Sequence, residues 1–155
     1  MVAQVDTIYY QPDTTIPATL NKRPGKDAGY DLYVSETVWV WPFQTVVVPT
    51  NLHIHTPAGH FGLVSSRSGN AARGWLTHMG VVDHGFSGQI SATVTNLTFF
   101  PRRFKKGERI AQLVFIPFAE LKDMKRILSL TQFQGMVAQY SNSNRGEQSH
   151  NSSGK

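Results

Sequence analysis

The chain of 155 residues has no cysteine. That excludes disulfides and thiolate metal ligands and favours an intracellular protein. No apolar run approaches the length of a membrane-spanning helix. The opening MVAQVDTIYY has neither the basic start nor the apolar stretch of a secretory signal. The expectation is therefore a cytoplasmic or nuclear protein, not secreted and with no membrane partner. Acid is also scarce: 10 Asp and Glu against 15 Lys and Arg give a formal charge of +5. A positive balance suits a polyanionic partner, either nucleic acid or the phosphates of a nucleotide. The length fits one domain that can bury a core without a covalent staple.

What the chain does contain is period-2 alternation. Leu52 and Ile54 alternate with polar neighbours in Asn51-Leu52-His53-Ile54-His55, and the stretch from Gln89 to Thr95 alternates for longer. Segments 37–41, 46–48 and 113–116 are rich in β-branched, aromatic or other apolar residues, with turn residues such as Pro57, Gly59, Gly85, Gly88, Pro101 and Gly107 between strands. This pattern predicts an all-β, jelly-roll or sandwich-like subunit. A single short helix is expected over Ser68 to Arg73, with Ser68 as its N-cap and Gly74 ending it. Residues 1–140 form the predicted β domain. Residues 141–155, rich in Ser, Asn and Gly, form a predicted C-terminal arm whose composition cannot support a core of its own.

Among the few acids, Asp83 stands out in Gly80-Val81-Val82-Asp83-His84-Gly85-Phe86-Ser87-Gly88. A carboxylate at a bend beside apolar residues can serve as a general base; equally, it can cap its own turn. Arg67, Ser68 and Gly69 at a helix start make a plausible phosphate cradle. Asp31 can hold a metal-bound water or make a structural hydrogen bond. His53 and His55 lack the ligand count of a metal site and read as surface residues. The run Arg102, Arg103, Lys105, Lys106 after Phe99-Phe100 reads as a solvated loop between two strands, so no direct nucleic-acid binding is expected.

Taken in order, Ala28-Gly29-Tyr30-Asp31-Leu32, Arg67-Ser68-Gly69, Gly80-Val81-Val82-Asp83 with Phe86 and Gly88, and Gly107-Glu108-Arg109-Ile110-Ala111-Gln112-Leu113 resemble the first four of five motifs of homotrimeric dUTP pyrophosphatases. The resemblance implies a homotrimer that hydrolyses dUTP to dUMP and pyrophosphate with Mg²⁺, limiting uracil in DNA and supplying dUMP for thymidylate synthesis. Asp83 would activate the attacking water. Arg67, Ser68, Gly69, Gln112 and Arg145 would hold phosphates, and Asp31 would support the magnesium ion through water. The hairpin carrying Gly80 and Val82 would read uracil, Phe86 would pack on the deoxyribose, and His150 would stack on the base from the arm.

Several positions depart from the family pattern. Phe86 replaces a usual tyrosine, Ser66 a proline and Asn70 a leucine. In 145–154, Ser149 and Asn151 replace glycines and His150 the stacking phenylalanine. These changes motivate an alternative reading, a non-catalytic dUTPase-like binding protein. A dCTP deaminase shares the resemblance, but it needs a glutamate where this chain has Thr93, and no carboxylate lies between Gln89 and Thr95.

Overall fold

The computed structural model describes residues 9–11, 20, 22–121 and 124–140. Its strands are β1 (Tyr9–Gln11), β2 (Tyr30–Tyr33), β3 (Val38–Val40), β4 (Thr45–His55), β5 (His60–Ser66), β6 (Trp75–Thr77), β7 (Gly80–Val82), β8 (Gln89–Asn96), β9 (Arg102–Phe104) and β10 (Arg109–Pro117). The helices are α1 (Ser68–Ala72) and α2 (Leu130–Tyr140). Two four-stranded antiparallel sheets run β1-β4-β8-β6 and β2-β10-β5-β7, and β3 pairs with β9 as a separate ribbon. The expected all-β architecture is present.

Alternation builds the sandwich. Along β8 the side chains of Ile90, Ala92, Val94 and Asn96 are buried, while those between them are not. Val48, Leu52 and Ile54 from β4 join Leu32, Val64, Ile110 and Leu113 from the other sheet in a single core cluster. Burying one such side chain contributes roughly 1.5–3 kcal/mol. β4 merges two segments that the sequence reading took separately. The register shifts between Pro49 and Leu52, where Asn51 adopts a φ of 50°, the bend a β-bulge introduces.

Two local expectations need correction. Ser68 is the first helical residue rather than the N-cap. Arg67 takes the cap position with extended backbone and no side-chain capping bond, its guanidinium donating instead to Asp31. The basic run is also only partly a loop, since Arg102–Phe104 form β9. A second helix, α2, lies outside the segment singled out as helical. Chain contacts divide the molecule into residues Met1–Glu120 and Leu121–Lys155. Within the second unit, α2 carries exposed Leu130, Phe133 and Val137. Among the described residues no helix is long and apolar enough to cross a membrane. The predicted arm, 141–155, with Arg145 and His150, lies outside the described residues.

Candidate active site

The sheet order places Asp31, on β2, beside Gln112 of β10, which in turn faces Ser65 of β5. Arg67, two residues beyond Ser65, points to the same face because strand side chains alternate. Its Nε donates to Asp31 Oδ1 at 2.9 Å. Arg109 Nη1 donates to Asp31 Oδ2 at 3.3 Å. One carboxylate thus bridges two guanidinium groups, and the charge-assisted geometry fixes both. Gln112 Nε2 donates to the Ser66 carbonyl at 3.1 Å. Gly29 makes room for it, since a Cβ there would lie 2.8 Å from Gln112 Oε1. Burial first, then the charge of Asp31, raises the Tyr33 phenol above its ordinary pKa, so it stays neutral and protonated at physiological pH.

α1 begins at this cluster. The Arg67 carbonyl accepts from the amides of Asn70 and Ala71. The amides of Ser68 and Gly69 have no partner among the described residues, as expected of helical first-turn donors without a cap. Both residues are exposed, and a Cβ added at Gly69 would meet open space. The arrangement offers cations and free N–H groups to a polyphosphate.

Two departures from the family pattern now have physical roles. Ser66 Oγ donates to the Thr77 carbonyl at 3.1 Å and accepts from the Thr77 amide at 2.7 Å, tying the end of β5 to β6. Asn70 is buried, and its Nδ2 donates to the Ile110 carbonyl at 3.0 Å, tying α1 to β10. Both bonds hold the segment around Arg67 in place. Arg109 was missed as a site residue, although it stands inside the quoted fourth motif; only the fold brings it to Asp31.

Asp83 lies elsewhere. β7 pairs with β5 so that Gly80 faces Val64 and Val82 faces Gly62, and β7 therefore runs away from Arg67. The step from Gly62 to Ser66 along β5 is ~13 Å at ~3.3 Å per residue. Asp31 and Asp83 also occupy opposite edges of the sheet β2-β10-β5-β7, three strand spacings or ~14 Å apart. Asp83 is exposed. Its carbonyl accepts from the Phe86 amide at 3.1 Å, closing a turn through Gly85 at φ 80°. His84 pins this turn: its Nδ1 lies 3.0 Å from the Thr56 carbonyl. Phe86 is 41% exposed, and its ring lies over Gly88, where a Cβ would meet Cζ at 2.6 Å. Among the described residues β7 pairs only with β5, so the backbone groups on its other edge face outward. One subunit thus brings together Asp31, Arg67, Ser68, Gly69 and Gln112, and separately Gly80, Val82, Asp83 and Phe86.

Among the described residues no group of three His, Asp or Glu side chains has metal-site geometry. Both Asp31 oxygens already accept from arginines. Such a carboxylate fits a magnesium ion held through water and substrate phosphate rather than by direct ligation.

The dUTPase family model matches residues 16–153. The deoxyuridine 5'-triphosphate nucleotidohydrolase of Mycolicibacterium vanbaalenii is 35% identical over 146 residues, covering 92% of this chain and 90% of its own. That of Mycolicibacterium gilvum is 32% identical over 158 residues, covering 99% and 97%. Among solved structures, the Staphylococcus bacteriophage 80alpha dUTPase with dUpNHpp superposes with a TM-score of 0.76 at 26% identity, covering 97% of this chain and 99% of that one. The chain belongs to the dUTPase family.

Proposed function

We propose that the protein is a dUTP diphosphatase that cleaves dUTP to dUMP and pyrophosphate, acting as a closed homotrimer with residues 141–155 serving as an arm over the site. The observation that carries this reading is the Arg67–Asp31–Arg109 bridge beside the free first-turn amides of α1, a preformed seat for a nucleoside triphosphate. The names of the relatives, which are nucleotidohydrolases of deoxyuridine 5'-triphosphate, supply the substrate class.

Arg67, Ser68, Gly69 and Gln112 hold the phosphate oxygens, joined by Arg145 from the arm. The Asp83 carboxylate takes a proton from water as the water oxygen bonds to the α-phosphorus. The bond between the α-phosphorus and the bridging oxygen breaks, and pyrophosphate leaves. Mg²⁺ bound to the phosphates would neutralise their developing charge, with Asp31 orienting its water shell. The outward edge of Gly80 to Val82 reads uracil, because a wrong base edge leaves buried donors and acceptors unpaired. Phe86 packs on the deoxyribose and His150 stacks on the base. Removing dUTP in this way limits uracil incorporation into DNA and supplies dUMP for thymidylate synthesis.

The trimer rests on two observations. Asp83 and Arg67 stand at opposite ends of one sheet, so a complete site requires Asp83 from a neighbouring copy. The outer face of the sheet β1-β4-β8-β6 presents Val47 (65% exposed), Leu76, Thr45, Thr93 and Thr95, with no formal charge among them. Such a face suits a closed three-fold contact. Thr93 lies on that face, so the position a deaminase would need for its glutamate carries no acid-base group.

The test is pyrophosphate release from dUTP, dTTP, dCTP and UTP with and without Mg²⁺. Release from dUTP alone, dependent on Mg²⁺, is expected. Ammonia release from dCTP, or comparable turnover of dTTP, would overturn the reading. Binding of dUTP without turnover would instead favour the non-catalytic alternative.

A further inference from the structure

One end of the fold displays aromatic rings that the hydrolase site does not use. Trp39 on β3 and Trp41 just beyond it are 51% and 59% exposed, and their rings stack with centroids 6.3 Å apart and planes 22° apart. Past Pro42 the chain turns, with the Gln44 amide donating to the Trp41 carbonyl at 3.1 Å. Phe43 sits in this turn at φ 59° and is 59% exposed. A bulky side chain rarely adopts that conformation; glycine would occupy it without strain. The Phe43 ring meets exposed Phe99 edge-on at 5.2 Å.

These rings are rigidly mounted. Buried Asn96 donates from Nδ2 to the carbonyls of Val40 (3.1 Å) and Phe100 (2.7 Å), and its own carbonyl accepts from the Phe43 amide at 2.8 Å. One buried amide therefore locks the β3–β4 turn and the β8–β9 loop together. A strained backbone holding an apolar ring outward, on a scaffold that prevents its retreat, marks a surface kept for contact.

The charge beside the rings is mostly positive, with exposed Glu36, three residues before Trp39, as a nearby acid. Trp39 faces Arg103 across the β3–β9 ribbon, and the guanidinium lies 5.9 Å from the Trp39 ring centre. Lys105 and Lys106 follow, both exposed. Glu108 forms an ion pair with Arg102, which stacks on Trp75 and Phe104, so that acid is already neutralised. From Trp39 to Gly107 the chain carries six Lys and Arg and a single acid, Asp83, which lies in the β7–β8 connection.

We propose that the β3–β9 ribbon and its adjoining turns bind single-stranded nucleic acid. Bases would stack on Trp39, Trp41 and Phe43, and Arg103, Lys105 and Lys106 would track the phosphates. The Trp39 and Trp41 ring centres, 6.3 Å apart, are farther apart than the ~3.4 Å rise between stacked bases of duplex DNA, so the bases of an unstacked, extended strand can meet successive rings. Rings interleaved with cations on a β surface supply the sequence-tolerant stacking and charge that single strands require. The sequence reading took the basic run as a solvated loop. The structure instead makes its first half a strand paired with the tryptophan strand, and that pairing motivates the proposal. It is independent of the hydrolase reading.

The experiment uses the full-length oligomer and fluorescein-labelled (dT)20, read by anisotropy at 50 and 200 mM salt. Binding is expected at low salt and should weaken at least tenfold at high salt. Trp39→Ala/Trp41→Ala should weaken binding about tenfold or more, and Lys105→Glu/Lys106→Glu should reduce the salt dependence. Melts and dUTP turnover of both variants are expected to match the parent, because neither pair touches the hydrolase site. Excess non-hydrolysable dUTP analogue should leave bound (dT)20 in place. Unaltered binding by the tryptophan variant, displacement by the analogue, or binding to phosphatidylserine vesicles but not to (dT)20 would overturn the proposal. Quenching of tryptophan fluorescence by unlabelled (dT)20 gives a second readout in the parent protein, and its absence would also count against stacking.

Discussion

The Arg67 guanidinium reaches over β10 to donate to Asp31 at 2.9 Å, so one ion pair ties the end of β5 to β2 across the strand between them. The same carboxylate holds Arg109. Asp31 therefore positions both cations before any phosphate arrives. In Asp31→Asn one charge-assisted acceptor is lost and an N–H faces a guanidinium. We expect kcat/KM for dUTP to fall about tenfold and the Mg²⁺ concentration for half-maximal turnover to rise. Because the pair is partly exposed, stability should change by no more than ~1 kcal/mol. Magnesium titration of turnover, beside a thermal melt, checks this. An unchanged magnesium requirement would remove Asp31 from the metal's surroundings.

Asn70, where the family pattern has leucine, gives a sharper stability test. Its side chain is buried and bonds the Ile110 carbonyl. Asn70→Ala leaves that carbonyl without its side-chain donor and opens a void, a loss of about 1–3 kcal/mol. At roughly 2–4 °C per kcal/mol for a domain of this size, Tm should drop measurably. Asn70→Leu restores volume but not the bond, so its Tm should lie between those of the alanine variant and the parent. Equal melts for all three proteins would show that the Asn70 bond contributes nothing net.

Gly88 leaves room for the tip of the Phe86 ring, and an added methyl would approach Cζ to 2.6 Å. Gly88→Ala must swing the ring away from where the deoxyribose is proposed to sit. The expected result is a drop of about tenfold in the ratio of kcat/KM for dUTP over UTP, with the fold retained because neither residue belongs to the buried core. The ratio, rather than either rate alone, is the diagnostic quantity; if it holds at the parent value, Phe86 does not discriminate the sugar.

The strands and the motif residues were legible because both depend on local pattern. Alternation along β8 and the glycines around Asp83 are written in consecutive residues. What sequence could not supply was partnership at long range. Nothing local says that Arg109 meets Asp31, 78 positions away in the chain, or that Asn70 bonds Ile110. Ser68 was misplaced as a cap because serine's capping preference is real, yet Arg67 is held at the cap position by its bond to Asp31. α2 escaped notice because Gly135 and the β-branched Thr131 and Val137 dilute its helical signal.

The arm gives a fourth prediction. Residues 141–155 contain almost no apolar side chains, so deleting them should leave the melt nearly unchanged. Turnover should still fall sharply, since Arg145 and the shielding of the site are lost together. His150→Ala should be milder, at about 1–3 kcal/mol of transition-state stabilisation if the ring stacks on uracil. His150→Phe should keep or raise kcat/KM. A truncated protein as active as the full chain would reduce the arm to a tail.

The separation of Arg67 from Asp83 gives the most decisive test, because it distinguishes a shared site from a site within one chain. Asp83→Asn alone should lower kcat by about 10²–10⁴, the usual worth of a positioned general base. Arg67→Ala should lose phosphate binding. Each variant by itself should assemble into oligomers in which every site is defective. If one copy supplies Arg67 and its neighbour supplies Asp83, unfolding and refolding an equal mixture creates sites that draw an intact Arg67 from one variant and an intact Asp83 from the other. Random assembly makes each contribution correct half the time, so about one quarter of sites should recover parent activity. A site contained within one chain would recover none, since every chain in the mixture lacks one of the two groups. The measurement is specific activity of the refolded mixture against each variant refolded alone and the parent treated likewise. Recovery near one quarter requires sites shared between neighbouring copies, as the separation of Arg67 and Asp83 along the sheet β2-β10-β5-β7 suggests. Activity no higher than that of the variants would place Asp83 and Arg67 of one site in the same chain, and the proposed sharing between copies would fail with it.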